Sequence, residues 1–348
     1  QVIPEKPQEV NRVVFENKPK ASRQKKEKDQ NDLTTNLSNG MGRFKTVCEC
    51  FENSDMGKTG TMNLLPYYGS NFDSNVHYRN YISYYLDNLA TNIDSNLCSI
   101  DQYAQRDSSG VYSTYETSLL NYYLVADELL NRGNKTNLGA YIHTLDTTKY
   151  EKSAIQSAND IRFQMYQAMA FGAKEVTYFE YFRPDQDGAN GLISAEESGF
   201  EPTYIYEFAQ EVNAEAKYLA DVSGDFDWKG VMKCGSSDFK SIGALTSYVN
   251  NGGTCLTSVS NTSTVDSYLP TLVGCMNDGE RDGFFVMNYR NPQEDTAWGY
   301  NVTLTFNNNP THCLIVKDGE KHIVSVTDNQ VTFPLDGDHA AFVIPLSL

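Results

Sequence analysis

The feature that most constrains this chain is an alternation repeated four times between Thr61 and Asp221: a short apolar run, a polar loop, then an amphipathic helix pattern. The apolar runs are Thr61–Pro66, Leu97–Tyr103, Asn137–His143 and Glu175–Phe182. Their starts fall about 38 residues apart, the length of one βα unit in a barrel. Between them, Tyr78, Tyr81, Ile82, Tyr85, Leu86 and Leu89 line one helix face, and Leu119, Tyr122, Tyr123, Ala126, Leu129 and Leu130 line the next. Ser113-Thr-Tyr-Glu116 predicts a capping box ahead of that second helix, and Gly133 its C-terminal stop. A third helix carries Ile161, Met165, Ala168 and Met169 up to Gly172, and a last one runs from about Thr203 to Asp221. Strand and helix in this order predict parallel α/β construction. The expected fold is a partial (β/α) TIM-type barrel of about four βα units, where a closed barrel needs eight.

The flanks read differently. Beyond Gly230 come short β-branched runs: Gly283–Asn288, Asn301–Phe306, Cys313–Lys317, His322–Val326 and Ala340–Ile344. Turns such as Asp318-Gly319 and Asp336-Gly337 separate them, which predicts an antiparallel β-sandwich. Before Phe44 the chain is polar and charged without apolar period, so residues 1–40 are expected to be a disordered tail. Phe44, Val47, Cys48 and Phe51 then sit at helical spacing. The expected division is a tail over 1–40, the C-terminal half of a barrel over 41–228 and the sandwich over 229–348.

Charge narrows the function classes. The formal net charge is -17, and such a surface repels phosphate backbones and anionic lipid, so neither nucleic acid nor membrane is an expected partner. No run approaches the roughly 18 apolar residues of a membrane span. The 23 tyrosines offer an apolar face and a hydroxyl together, which suits contact with sugar rings as well as amphipathic packing. The seven cysteines are odd in number and show no CxxC, so a complete disulfide framework is excluded and a zinc site is not expected. Cys234, Cys255 and Cys275 are close enough in sequence for one bridge, the alternative being free buried thiols. Sequons stand at Asn36, Asn134, Asn261 and Asn301. Neither a metal nor an organic cofactor is implied: the P-loop, the dinucleotide fingerprint, the nucleophile elbow and the EF-hand pattern are all absent, including at Asp55–Lys58 and around Asp185 and Asp187.

Four segments together resemble a known family. Asn63-Leu-Leu-Pro66, Asp101-Gln-Tyr103, Phe163-Gln-Met-Tyr-Gln-Ala-Met-Ala-Phe-Gly-Ala173 and Tyr178-Phe-Glu-Tyr-Phe-Arg-Pro184 look like the second half of the catalytic barrel in bacterial glycoside hydrolases related to the family 42 β-galactosidases. Leu335–Ile344 resembles the small β-domain that closes many such enzymes. The resemblance spans roughly residues 44–348. It implies a carbohydrate substrate and an O-glycosidic bond as the point of attack. It also implies four further βα units upstream of Gln1, so the lack of a signal-peptide pattern at Gln1 carries little weight. An extracellular or cell-surface setting is favoured over the cytoplasm. One departure matters: that family places its nucleophilic Glu near the end of the seventh barrel strand, and the corresponding run here ends Ile142-His143-Thr144 without one.

In parallel barrels chemistry gathers at the C-terminal ends of the strands. That rule selects Asn63, Asp101, Tyr103, His143, Glu180, Arg183 and Asp185. Glycoside hydrolysis needs two carboxyl groups, one protonated and one ionised, and Glu180 and Asp101 are the candidate pair. Glu180 is read as sharing a strand face with Tyr178 and Phe182, against the alternative of an ion pair with Arg183 or Arg162. Tyr103, His143, Asn63, Tyr178 and Arg183 are candidate substrate contacts. The competing function is a non-catalytic carbohydrate-binding or scaffold module, which the missing strand-seven Glu favours. A truncated product that pairs through open barrel edges is a third reading.

Overall fold

The computed structural model describes residues 62–67, 72, 74–90, 96–103, 115–145, 155, 157–182, 191–194, 199–235, 249–262, 270–289 and 299–348, without the side chains of residues 89 and 115–117. The expectations for the tail, for the helix at Phe44, for Ser113, for Arg183 and for Asp185 and Asp187 lie outside the described residues.

A four-stranded parallel sheet runs in the order β1 (Asn63–Leu64), β2 (Leu97–Asp101), β3 (Asn137–His143) and β4 (Ala173–Phe179). Helices α1 (Asn75–Tyr85, continued by a π-type turn over Leu86–Ala90), α2 (Tyr115–Asn131) and α3 (Ala158–Ala170) connect them, and α4 (Tyr204–Ser223) follows. Sequential order with a helix after each strand is the singly wound, barrel-type arrangement that the 38-residue spacing predicts. The α-helical predictions hold in detail: Leu119, Tyr122, Tyr123, Ala126 and Leu129 are buried, and Gly133 adopts φ +74, which lets Asn134 N–H reach back to Leu129 O at 2.9 Å. A capping box not foreseen from sequence opens α3, where Ser157 N–H donates to Asp160 Oδ2 at 3.0 Å.

The chain then builds a β-sandwich. One sheet has the order β11-β10-β13-β8-β7-β5 and the other β12-β9-β6; these strands are β5 (Asp227–Cys234), β6 (Leu256–Thr262), β7 (Thr271–Asn277), β8 (Asp282–Asn288), β9 (Tyr300–Phe306), β10 (His312–Lys317), β11 (Glu320–Ser325), β12 (Gln330–Leu335) and β13 (Ala340–Leu346). All strand pairs in it are antiparallel. Val273, Cys275, Phe284, Val286 and Val343 meet the three-stranded sheet, while Leu272, Met276, Phe285, Met287 and Phe342 join the core beneath the helices. The six-stranded sheet is therefore covered on both faces, which is why β7 and β8 are buried nearly end to end instead of alternating. α3 is wedged between the parallel sheet, α4 and β7–β8 and is buried almost all round. Gly274 permits that closeness: a Cβ there would stand 2.0 Å from Ala170 O.

The five described cysteines are free thiols, so no bridge joins Cys234, Cys255 and Cys275. Burial pushes the thiols of Cys98, Cys275 and Cys313 up to about 12. No described helix is long and apolar enough to cross a membrane.

Candidate functional site

Strand alternation sorts the parallel sheet into two faces. Leu64, Cys98, Ile100, Leu138, Ala140 and Ile142 pack into the core under the helices, with Val176 and Tyr178 against it. The opposite face carries the intervening residues, and the register sets them in rows. Asn63, Ser99, Gly139 and Glu175 form the first row, Asp101, Tyr141 and Thr177 the second, and His143 and Phe179 the third. At Gly139 this face is closely filled by its neighbours, since a Cβ would meet Leu97 Cδ1 at 2.9 Å and Ser99 Oγ at 3.2 Å.

The third row lies at the C-terminal ends of the strands. Tyr103, just past β2, swings over it: its ring is stacked on Phe179 (5.5 Å between centroids, 26° between planes) and lies 5.7 Å from the His143 ring. Asp101, half-buried, stands one row below. The main chain of His143 is clamped by one side chain: its N–H donates to Gln164 Oε1 at 2.9 Å, and its carbonyl accepts from Gln164 Nε2 at 3.2 Å. His143 is 4% exposed, and its Nδ1 has no hydrogen-bond partner among the described residues. Burial pulls its pKa from 6.5 down to about 4, so the imidazole is neutral at pH 7.

The structure brings Asn63, Asp101, Tyr103 and His143 to one face. It treats the fourth strand differently from the sequence reading. β4 stops at Phe179, three residues early, because the chain turns at Glu180; the Phe179–Glu180 peptide is cis. Tyr178 points away from the mouth, donating its hydroxyl to Asn213 Oδ1 on α4 at 2.8 Å, and it is Phe179 that faces the mouth. The face shared by Tyr178, Glu180 and Phe182 therefore does not exist as one strand surface. Glu180 is half-buried at the rim, its carbonyl accepting from Leu192 N–H (3.3 Å) and Thr144 Oγ1 (3.4 Å). The alternative partner Arg162 is engaged elsewhere, with Glu215 at 2.8 Å and Glu211 at 2.7 Å. Alternation within the run Glu175–Phe182 already sets Glu175, Thr177 and Phe179 on one face; the sequence reading chose the other face, that of Tyr178. Gln164, on a helix, left no signal in the sequence pattern.

A cleft bounded by Leu129, Asn134, Gly172, Lys174 and Trp228 lies at the other end, where β3 and β4 begin. No group of three or more His, Cys, Asp or Glu among the described residues is placed to hold a metal ion.

No family model matches the sequence, and no curated protein matches it. Similar solved structures include a GH30 endoxylanase from Clostridium papyrosolvens C71, at 12% identity over 87% of this chain and 70% of that one, with a TM-score of 0.33. An alpha-amylase from Anoxybacillus shows 8% identity over 89% of this chain and 64% of its own, with a TM-score of 0.42. A glycoside hydrolase family 44 xyloglucanase from Paenibacillus polymyxa shows 8% identity over 90% and 61%, with a TM-score of 0.39. The chain spans less than two thirds of the length of the latter two. At these scores the likeness assigns no residue.

Proposed function

We propose that this chain handles oligo- or polysaccharide at the mouth formed by Asp101, Tyr103, His143 and Phe179, as a glycoside-hydrolase-like protein acting on O-glycosidic bonds. The observation that carries the reading is the convergence of an aromatic stack, a neutral imidazole and a carboxylate at the C-terminal ends of three adjacent parallel strands. Kinship with the family 42 β-galactosidases rests on the four sequence segments alone.

In this reading Tyr103 offers a flat face to a sugar ring, and His143, uncharged, bonds a hydroxyl through Nε2, its Nδ1 being buried. Asn63 bonds a second hydroxyl from the first row, and Arg183 is a further candidate contact. Glu180 is the proton donor to the leaving oxygen and Asp101 the second carboxylate, attacking directly or activating water according to their separation. The Tyr178 hydroxyl, bonded to Asn213, serves the helix packing of the strand that presents Glu180. Self-association through the edges of the parallel sheet, β1 and β4, belongs to the same proposal and is read by sedimentation.

A second reading is favoured by one observation: the end of β3 presents His143, not a carboxylate, where a nucleophile would stand in the resembling family. There the chain binds saccharide without cleaving it. A screen of aryl glycosides with Glu180→Gln and Asp101→Asn separates the two. Turnover lost in both variants supports hydrolysis; saccharide binding without turnover supports the binding module; neither turnover nor binding ends both.

A further inference from the structure

Tyr289 directly follows β8 of the sandwich, yet its side chain is buried in the core beneath the helices of the parallel sheet. Its hydroxyl accepts from Gln167 Nε2 on α3 at 2.6 Å, and Gln167 Oε1 accepts from Ser118 Oγ on α2 at 2.7 Å. Residues three apart on a helix are surface neighbours, and one turn along each helix the next polar side chain reaches the mouth. On α3 it is Gln164, which holds both the N–H and the carbonyl of His143. On α2 it is Asn121, whose Nδ2 donates to Gln102 Oε1 at 2.7 Å and whose Oδ1 accepts from Tyr67 N–H at 3.0 Å. Gln102 stands between Asp101 and Tyr103. We propose that Tyr289 is a positioning residue for the mouth: through Gln167 and Ser118 it fixes the two helix faces from which Gln164 holds His143 and Asn121 holds the Asp101–Tyr103 corner. The proposal rests on the reading of the mouth given above.

Physical chemistry gives this network its directing role. Gln102, Ser118, Asn121, Gln164, Gln167 and Tyr289 are all buried, so a group that loses its partner has no water to turn to. Apolar packing against β7–β8 sets how deeply α3 sits, but such packing is non-directional and leaves rotation about the helix axis loosely set. A hydrogen bond is directional, and a short one to a fixed point sets that rotation. Tyr289 is a fixed point: its N–H donates to Pro270 O at 2.8 Å, and its ring packs on Phe163 of α3 with centroids 4.9 Å apart. At the far end, Gln102 N–H donates to Tyr141 O at 3.3 Å, so the corner that Asn121 holds is also tied to β3. The sandwich therefore supplies one atom, the Tyr289 oxygen, on which the orientation of the mouth depends.

The test uses the full chain and Tyr289→Phe, which removes one oxygen and keeps the ring on Phe163. Ile315→Val, in the core between the two sheets of the sandwich, controls for a general loss of stability. Labelling the five histidines with nitrogen-15 gives five amide signals, and His143→Gln identifies the one that reports the Gln164 clamp. In Tyr289→Phe that signal should shift and its hydrogen exchange should quicken about tenfold, while the amides of His77, His312 and His322 stay in place. Calorimetry with six-unit oligosaccharides of the β-1,4-gluco, β-1,4-xylo and α-1,4-gluco series should show affinity about fivefold weaker than wild type. Ile315→Val should change neither reading. An unmoved His143 amide in Tyr289→Phe, or one that moves equally in Ile315→Val, overturns the proposal while wild-type saccharide binding leaves the mouth standing. A shifted amide with unchanged affinity also overturns the positioning role. A shifted amide in a protein whose wild type binds no saccharide overturns the reading of the mouth, and the positioning role with it.

Discussion

His143 makes the acid stability of the fold calculable. In the unfolded chain its imidazole titrates near 6.5, and in the fold burial holds it near 4. The folded state therefore binds fewer protons than the unfolded state between those values. The stability that neutral His143 preserves is complete above about pH 6.5 and is lost as pH falls toward 4. A gap of 2.5 units (6.5 minus 4) sets the ceiling at about 3 kcal/mol. By linkage, the loss relative to pH 7 is about 1 kcal/mol at pH 5.5 and about 2 kcal/mol at pH 4.5. His143→Gln retains a polar side chain and removes the titration. Urea unfolding at pH 7, 5.5 and 4.5 for both proteins isolates the residue, because carboxylate contributions cancel in the difference. The wild type should lose about 2 kcal/mol more than the variant across that range. Parallel losses would show that His143 titrates normally and is not buried at the mouth as described.

Three further outcomes follow from packing. Gly274→Ala places a methyl group against Ala170 O, and it should cost about 3 kcal/mol or more, seen as a fall in Tm or in soluble yield. Arg162→Met strands Glu215 and Glu211 at the α3–α4 junction. Because both acids keep some water, the loss should be about 2–3 kcal/mol by urea unfolding. Gln164→Ala frees the main chain of His143 and should weaken saccharide binding about tenfold while the sandwich stays folded, as calorimetry and near-ultraviolet dichroism would show.

Much of the fold was legible because periodicity reports burial. Tyr122, Ala126 and Leu129 repeat at helical spacing on one buried face, and the four strand starts repeat at barrel spacing. β6 escaped notice because Thr257, Ser258 and Ser260 give it an exposed, hydroxyl-rich face with no apolar run to announce it. β7 and β12 were missed as well, one reading as a continuous apolar stretch and the other crossing Pro334. The strand-end rule selects Asp101 and His143, and both are the last residues of their strands, β2 and β3. The shared face read for Tyr178, Glu180 and Phe182 is lost because β4 ends at Phe179, while Tyr178 itself alternates onto the helix side of the sheet. A turn set by main-chain bonds to Leu192, a dozen residues on, leaves no local signature. Gln164 and the Phe179 stack arise from contacts between elements and so were invisible to spacing.

The most direct measurement is an experimental structure of the chain soaked with the tightest-binding oligosaccharide. The account places a sugar ring against Tyr103 and within hydrogen-bond distance of the His143 ring, on the sheet face turned away from α1–α4. A sugar bound among the helices, on the sandwich, or in the cleft beside Trp228, with the Tyr103–His143 face empty, would contradict it.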